Sequence, residues 1–144
     1  MKKGFTLIEI MVAVAIIGLL AAFSVSMMLR NRMTANETLA ISACKTLVSA
    51  CQSYYASTLP HVYPPNLAAL GAGGVGPSYI DNQLASGTKS GYTYTYALVN
   101  PVSFTVNANP TFPGRTGNRH FYTDETGRIT AREGGPAGPG DTEV

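Results

Sequence analysis

Glu9 is the residue whose chemistry most needs an explanation. It lies in a run from Phe5 to Leu29 that only Thr6, Glu9, Ser24 and Ser26 interrupt. A carboxylate at membrane depth costs about 2.5–3.5 kcal/mol on insertion scales, so it requires a partner or a task. The other reactive side chains are scattered. Cys44 and Cys51 stand seven residues apart in a helical segment. At about 1.5 Å rise per residue they are roughly 10 Å apart, beyond the ~7 Å Cα limit for a disulfide. Their two-turn spacing puts both on one face, where a free Cys packs as a small apolar residue. No third and fourth ligand accompany them for a metal, and an intermolecular bond is the remaining alternative. His61 and His120 are isolated, with no Ser or Cys motif placing a nucleophile beside either. No catalytic constellation is present, and enzyme activity is not expected.

The element that positions Glu9 is long. The 25 residues from Phe5 to Leu29 form a helix of roughly 37 Å, enough for a hydrocarbon layer of about 30 Å. Lys2 and Lys3 precede it, which keeps the N-terminus cytoplasmic and puts the chain from Arg30 onward on the outer side. An ordinary secretory signal also has a basic start, and Ser24-Val25-Ser26 resembles its small-residue cleavage site. Its apolar core, however, normally runs 7–15 residues without an acid. A plain anchor gives no reason for Glu9.

The string Lys2-Lys3-Gly4-Phe5-Thr6-Leu7-Ile8-Glu9, followed by Ala15-Ile16-Ile17-Gly18-Leu19-Leu20-Ala21-Ala22, resembles the class III signal of type IV prepilins and type II secretion pseudopilins. The resemblance implies cleavage between Gly4 and Phe5 by a membrane aspartic peptidase, methylation of the new Phe5 amine, and identification of Glu9 with the family's essential glutamate. Physical reasoning agrees. The freed amine is a cation at the apolar end of the helix, about one turn from Glu9. Subunits shifted axially can pair one copy's Glu9 with another's Phe5 amine, because an unpaired carboxylate in an apolar bundle is strongly penalised. Many members of the family carry a proline eight residues beyond the glycine aligned with Gly18; here that position is Ser26. Without the proline kink, a helix continuous through Ser26 is expected.

The helix continues past Arg30, Asn31 and Arg32 with Ile41, Cys44, Val48, Cys51 and Tyr55 at steps of three and four, an amphipathic pattern. Its polar face carries Asn36, Glu37, Ser42, Lys45, Ser49, Gln52 and Ser53, and Leu59-Pro60 with Pro64-Pro65 ends it near Thr58. Residues 59–90 read as a surface loop with a helical turn at Asn66 to Leu70. The glycines from Gly71 to Gly76 lack the Lys-Ser/Thr of a phosphate loop and read as connector. From Gly91 the period becomes two. Strands are expected at Tyr92–Val99, at Val102 to Val106, at Arg119–Thr123 and at Arg128–Arg132, with Tyr92, Tyr94 and Tyr96 facing the helix or covering the sheet. Residues 133–144, rich in Gly and Pro, read as an irregular tail. The expected fold class is α+β: a leader (1–4), a transmembrane and polymerisation helix (5–29), its amphipathic half (30–58), an αβ loop (59–90), and an antiparallel sheet of about four strands (91–132). This is the pilin-like architecture.

The whole chain carries 10 Lys and Arg against 8 Asp and Glu. Losing Lys2 and Lys3 balances the charges, which gives no support to nucleic-acid binding. Only Arg115, Arg119, Arg128 and Arg132 offer a basic patch for an adhesive, sugar- or DNA-binding subunit. The acids Asp124, Glu125, Asp141 and Glu143 form no calcium-loop motif of the kind some pseudopilins carry, so no metal and no cofactor is expected. The sequon-like Asn36-Glu37-Thr38 lies on the helix and reads as incidental. The resemblance implies the partners: a prepilin peptidase, an inner-membrane platform with an assembly ATPase, minor pilins or pseudopilins, and further copies of the chain. It also implies a single-pass inner-membrane precursor that becomes an extracellular pilus or a periplasmic pseudopilus. Type IV pilus subunit, type II secretion pseudopilin and minor pilin all fit this sequence.

Overall fold

The computed structural model describes residues 4–74 and 76–144. The expectation drawn from Lys2 and Lys3 lies outside those residues. The chain divides between Arg32 and Met33 into two compact units.

Helix α1 (Leu7–Ser57) runs unbroken through Ser26. In the first unit every described residue is exposed, because an apolar face on all sides has nothing of its own chain to bury against. The helix is long and apolar enough to cross a membrane by length and composition. At its start Thr6 and Glu9 form a capping box.

The second unit is a sheet packed against residues 33–57 of α1. The sheet has six antiparallel strands in sequential order: β1 (Thr88–Lys89), β2 (Tyr92–Asn100), β3 (Ser103–Pro110), β4 (Arg119–Asp124), β5 (Ile129–Glu133) and β6 (Thr142–Glu143). Alternation in β2 and β3 sends Tyr92, Tyr94, Phe104, Val106 and Ala108 inward, where with Phe121, Ile129 and Ala131 they meet Ala40, Ala43, Cys44, Leu47, Val48 and Cys51 of α1. Tyr96 stacks on Phe104 at 5.7 Å between ring centroids, so the tyrosines belong to the core and its margin. Ile41 and Tyr55, at the edges of the apolar stripe, are half-buried.

Three expectations need correction. The sheet has six strands and not about four, because a two-residue strand is added at each edge. β1 arises from a tight hairpin in which Ser90 and Gly91, at φ 52° and 75°, turn Lys89 back onto Tyr92. Such two-residue turns need positive φ at both central positions and match the strand twist. In 59–90 the helical turn expected at Asn66 to Leu70 is present, but the stretch is more than a surface loop. A 3₁₀ turn (Leu67–Leu70), capped by the Asn66 side chain on the Ala69 amide at 3.0 Å, and a short helix α2 (Asn82–Ala85), capped by Asp81 on the Leu84 amide at 2.9 Å, place Leu67, Leu70, Ile80 and Leu84 in the core. Finally, the tail is not irregular throughout. Thr142 and Glu143 pair with Ala131 and Thr130, Thr130 donates to the Gly138 carbonyl at 2.7 Å, and Ala137 is buried.

Candidate functional site

The candidate site is the start of α1. Gly4, Phe5 and Thr6 precede the first helical residue and are exposed, with Phe5 at 83%. The Gly4–Phe5 bond therefore lies in non-helical chain, and a peptidase needs extended substrate with unpaired backbone. Thr6 acts as the N-cap. Its amide and its hydroxyl donate to Glu9 Oε2 at 3.0 and 2.9 Å, and the Glu9 amide donates to the Thr6 hydroxyl at 3.4 Å. This reciprocal Thr-x-x-Glu pattern satisfies helix-end amides that otherwise have no partner. A shallow groove of about 350 Å³ lies along the same stretch, lined by Ile8, Glu9, Val12, Ala13 and Ile16. It is almost wholly apolar apart from the Glu9 carboxylate.

The remaining sequence candidates lie apart from this site and serve the fold. Cys44 and Cys51 are free and buried in the core, and burial pushes both thiols up to about 12. His61 stacks on Tyr55 at 5.4 Å, with Nδ1 2.9 Å from the Tyr55 carbonyl. His120 Nδ1 lies 2.7 Å from Asn109 Oδ1, and burial lowers its pKa. Of the acids, Asp124 accepts from the Thr126 amide, Glu125 from the Ser103 hydroxyl and Asp141 from the Gly138 amide, while Glu143 pairs with Arg128 at 3.2 Å. No group of three or more potential metal ligands occurs among the described residues. Of the four arginines, Arg128 is in that ion pair, and Arg119 lies over the Phe121 ring at 5.4 Å.

Two residues read as part of a polar face have a definite structural task. Asn36 Nδ2 donates to the Thr116 carbonyl at 3.0 Å, and Glu37 Oε1 accepts from the Asn118 and Arg119 amides at 2.9 and 3.3 Å. They hold the β3–β4 connection against α1. Sequence periodicity misses this because the partners are main-chain groups about eighty residues away. Thr6-x-x-Glu9, by contrast, is a capping signature visible in the sequence.

Residues 1–25 match the family model described as the prokaryotic N-terminal methylation motif. The N-terminal segment thus carries the prepilin-type signal of type IV pilins and pseudopilins, and the match covers Gly4, Phe5 and Glu9. It supports a type IV pilin-like or pseudopilin protein, suggests a structural one, and is consistent with membrane insertion of the N-terminal helix. No curated protein and no solved structure matches the chain.

Proposed function

We propose that the chain is a structural subunit of a type IV pilus-like filament, made as a membrane-inserted precursor. The observation that carries this reading is the methylation motif over residues 1–25, which runs into a helix whose apolar part, through Arg32, buries nothing within its own chain. In this reading the prepilin peptidase cuts between Gly4 and Phe5 and the Phe5 amine is methylated. The helices then leave the bilayer and pack against one another, each Glu9 meeting the Phe5 amine of a neighbour. The N-terminus faces the cytoplasm before assembly. An inner-membrane platform and a cytoplasmic ATPase supply the work of extraction. A pseudopilin of a type II secretion system would use the same steps to build a short periplasmic fibre.

Intact-mass and N-terminal analysis of the protein from its native membrane tests the reading. The expected chain begins at N-methylated Phe5. A chain beginning after Ser26 would mean an ordinary secreted protein, and the filament reading would fall.

A further inference from the structure

The second unit, here called the head, has a distinct feature at each end of its sheet. At one end the β3–β4 connection presents Phe112, 61% exposed, and Arg115, three residues on in the same turn. At the other, the β2–β3 hairpin presents Val99 and Val102, 62% and 57% exposed, beside the β4–β5 turn carrying Asp124 and Glu125. β3 joins the two ends, and its eight residues at about 3.4 Å each set them roughly 27 Å apart. We infer that heads of neighbouring copies join end to end, the Phe112–Arg115 knob of one seating on the Val99–Val102 socket of the next, with Arg115 facing Asp124 and Glu125. This rests on the filament reading above.

Both surfaces are preformed. In the knob, the Arg115 amide donates to the Phe112 carbonyl at 3.0 Å and the Phe112 amide to the Thr116 hydroxyl at 3.1 Å. Asn36 and Glu37 fasten the loop to α1. In the socket, the Tyr63 amide donates to the Pro101 carbonyl at 3.0 Å, and the Ser103 hydroxyl donates to Glu125 Oε2 at 3.0 Å. That second bond sets the acidic turn against the root of the apolar hairpin. Fixed loops lose little conformational freedom on docking, which favours association. The charges are complementary. Among the described residues the ion pairs are Lys89–Asp81 and Arg128–Glu143, so Arg115, Asp124 and Glu125 are in none. Arg128, the cation at the socket end, is already engaged. A contact between two different surfaces at opposite ends is heterologous and, unless its rotation closes a ring, repeats without limit. That is the geometry a fibre requires, and it commits the knob to a second copy of the chain.

The test is oxidative cross-linking of filaments from an Arg115→Cys/Glu125→Cys double variant of the full chain, with the buried Cys44 and Cys51 left in place. A ladder of dimers and higher oligomers is expected on a non-reducing gel, with none from either single variant. Arg115→Glu is expected to lower filament yield roughly fivefold, the factor for about 1 kcal/mol, and Arg115→Glu/Glu125→Arg to restore it. Filaments with a mature N-terminus at Phe5 that give no ladder and tolerate Arg115→Glu would overturn the inference while sparing the filament reading. A fluorophore on Thr111→Cys, with Arg115 intact, that is shielded by anionic phospholipid vesicles, with no ladder in filaments, would assign the knob to lipid and overturn it also. If the unmodified chain makes no filament, the functional reading fails first and takes this inference with it.

Discussion

Thr6 and Glu9 are locked to each other: one carboxylate oxygen of Glu9 receives both the amide and the hydroxyl of Thr6. The pair engages the acid within its own helix end and leaves the second oxygen without a bond to Thr6, free for the pairing proposed above. Capping and pairing with a neighbour's amine are therefore compatible, and they can be separated by substitution.

Glu9→Gln keeps an oxygen for the Thr6 amide but removes the charge. It is expected to insert and be cut as usual while sheared filament yield falls at least about tenfold, equivalent to ~1.4 kcal/mol per subunit. Glu9→Ala is expected to do the same. Normal yield from the Gln variant would show that the residue only caps its helix.

Glu37→Ala removes the acceptor for the Asn118 and Arg119 amides. Hydrogen bonds to a charged acceptor of this kind contribute about 1.5–3 kcal/mol. Hydrogen exchange at those two amides is expected to accelerate by roughly tenfold or more, with Glu37→Gln intermediate. Unchanged exchange would mean that other contacts hold the β3–β4 loop.

Tyr92 and Tyr94 make a matched pair of tests. The Tyr92 hydroxyl donates to the Arg119 carbonyl at 2.8 Å, whereas the Tyr94 hydroxyl is buried with no hydrogen-bond partner among the described residues. Tyr92→Phe is expected to cost about 1 kcal/mol, and Tyr94→Phe to be neutral or stabilising. Thermal unfolding of the detergent-solubilised chain by near-UV circular dichroism reads the difference, and equal losses would contradict it.

The core thiols give a pH signature. Thiolate is the reactive form, and burial raises Cys44 and Cys51 from 9.0 to about 12. At pH 8 the folded chain is expected to resist maleimide until denaturant is added. Because the unfolded chain releases these protons first, their contribution to stability is intact below pH ~9 and is lost as pH rises towards about 12. Rapid labelling of the native chain at pH 8 would refute the burial.

The long helix and the central strands were legible because each has a single dominant period: continuous apolar residues to Leu29, steps of three and four from Ile41, and alternation from Tyr92. The candidate site was legible because a carboxylate among Phe5–Leu29 is conspicuous. Short elements carry no period. The turn at Asn66 to Leu70 is expected, but the Asp81 cap of α2 shows only through its side-chain bond, and Ser90-Gly91 falls at the seam between the expected loop and the expected first strand. The tail was misread for a different reason. Thr130 and Ala137 are buried by contact with each other's segments, and composition alone describes a Gly- and Pro-rich strip as loose.

The two-residue edge strands have a consequence for crowding. A filament surface holds its subunits at very high local concentration, where a long bare sheet edge would template pairing with any neighbouring chain. Here β1 and β6 themselves offer only two residues each to a foreign strand, and they cover Tyr92 and Thr93 of β2 and Thr130 and Ala131 of β5. In the filament proposed above, such short edge strands would narrow, without closing, the main-chain route by which neighbouring heads could fuse into a cross-β ribbon.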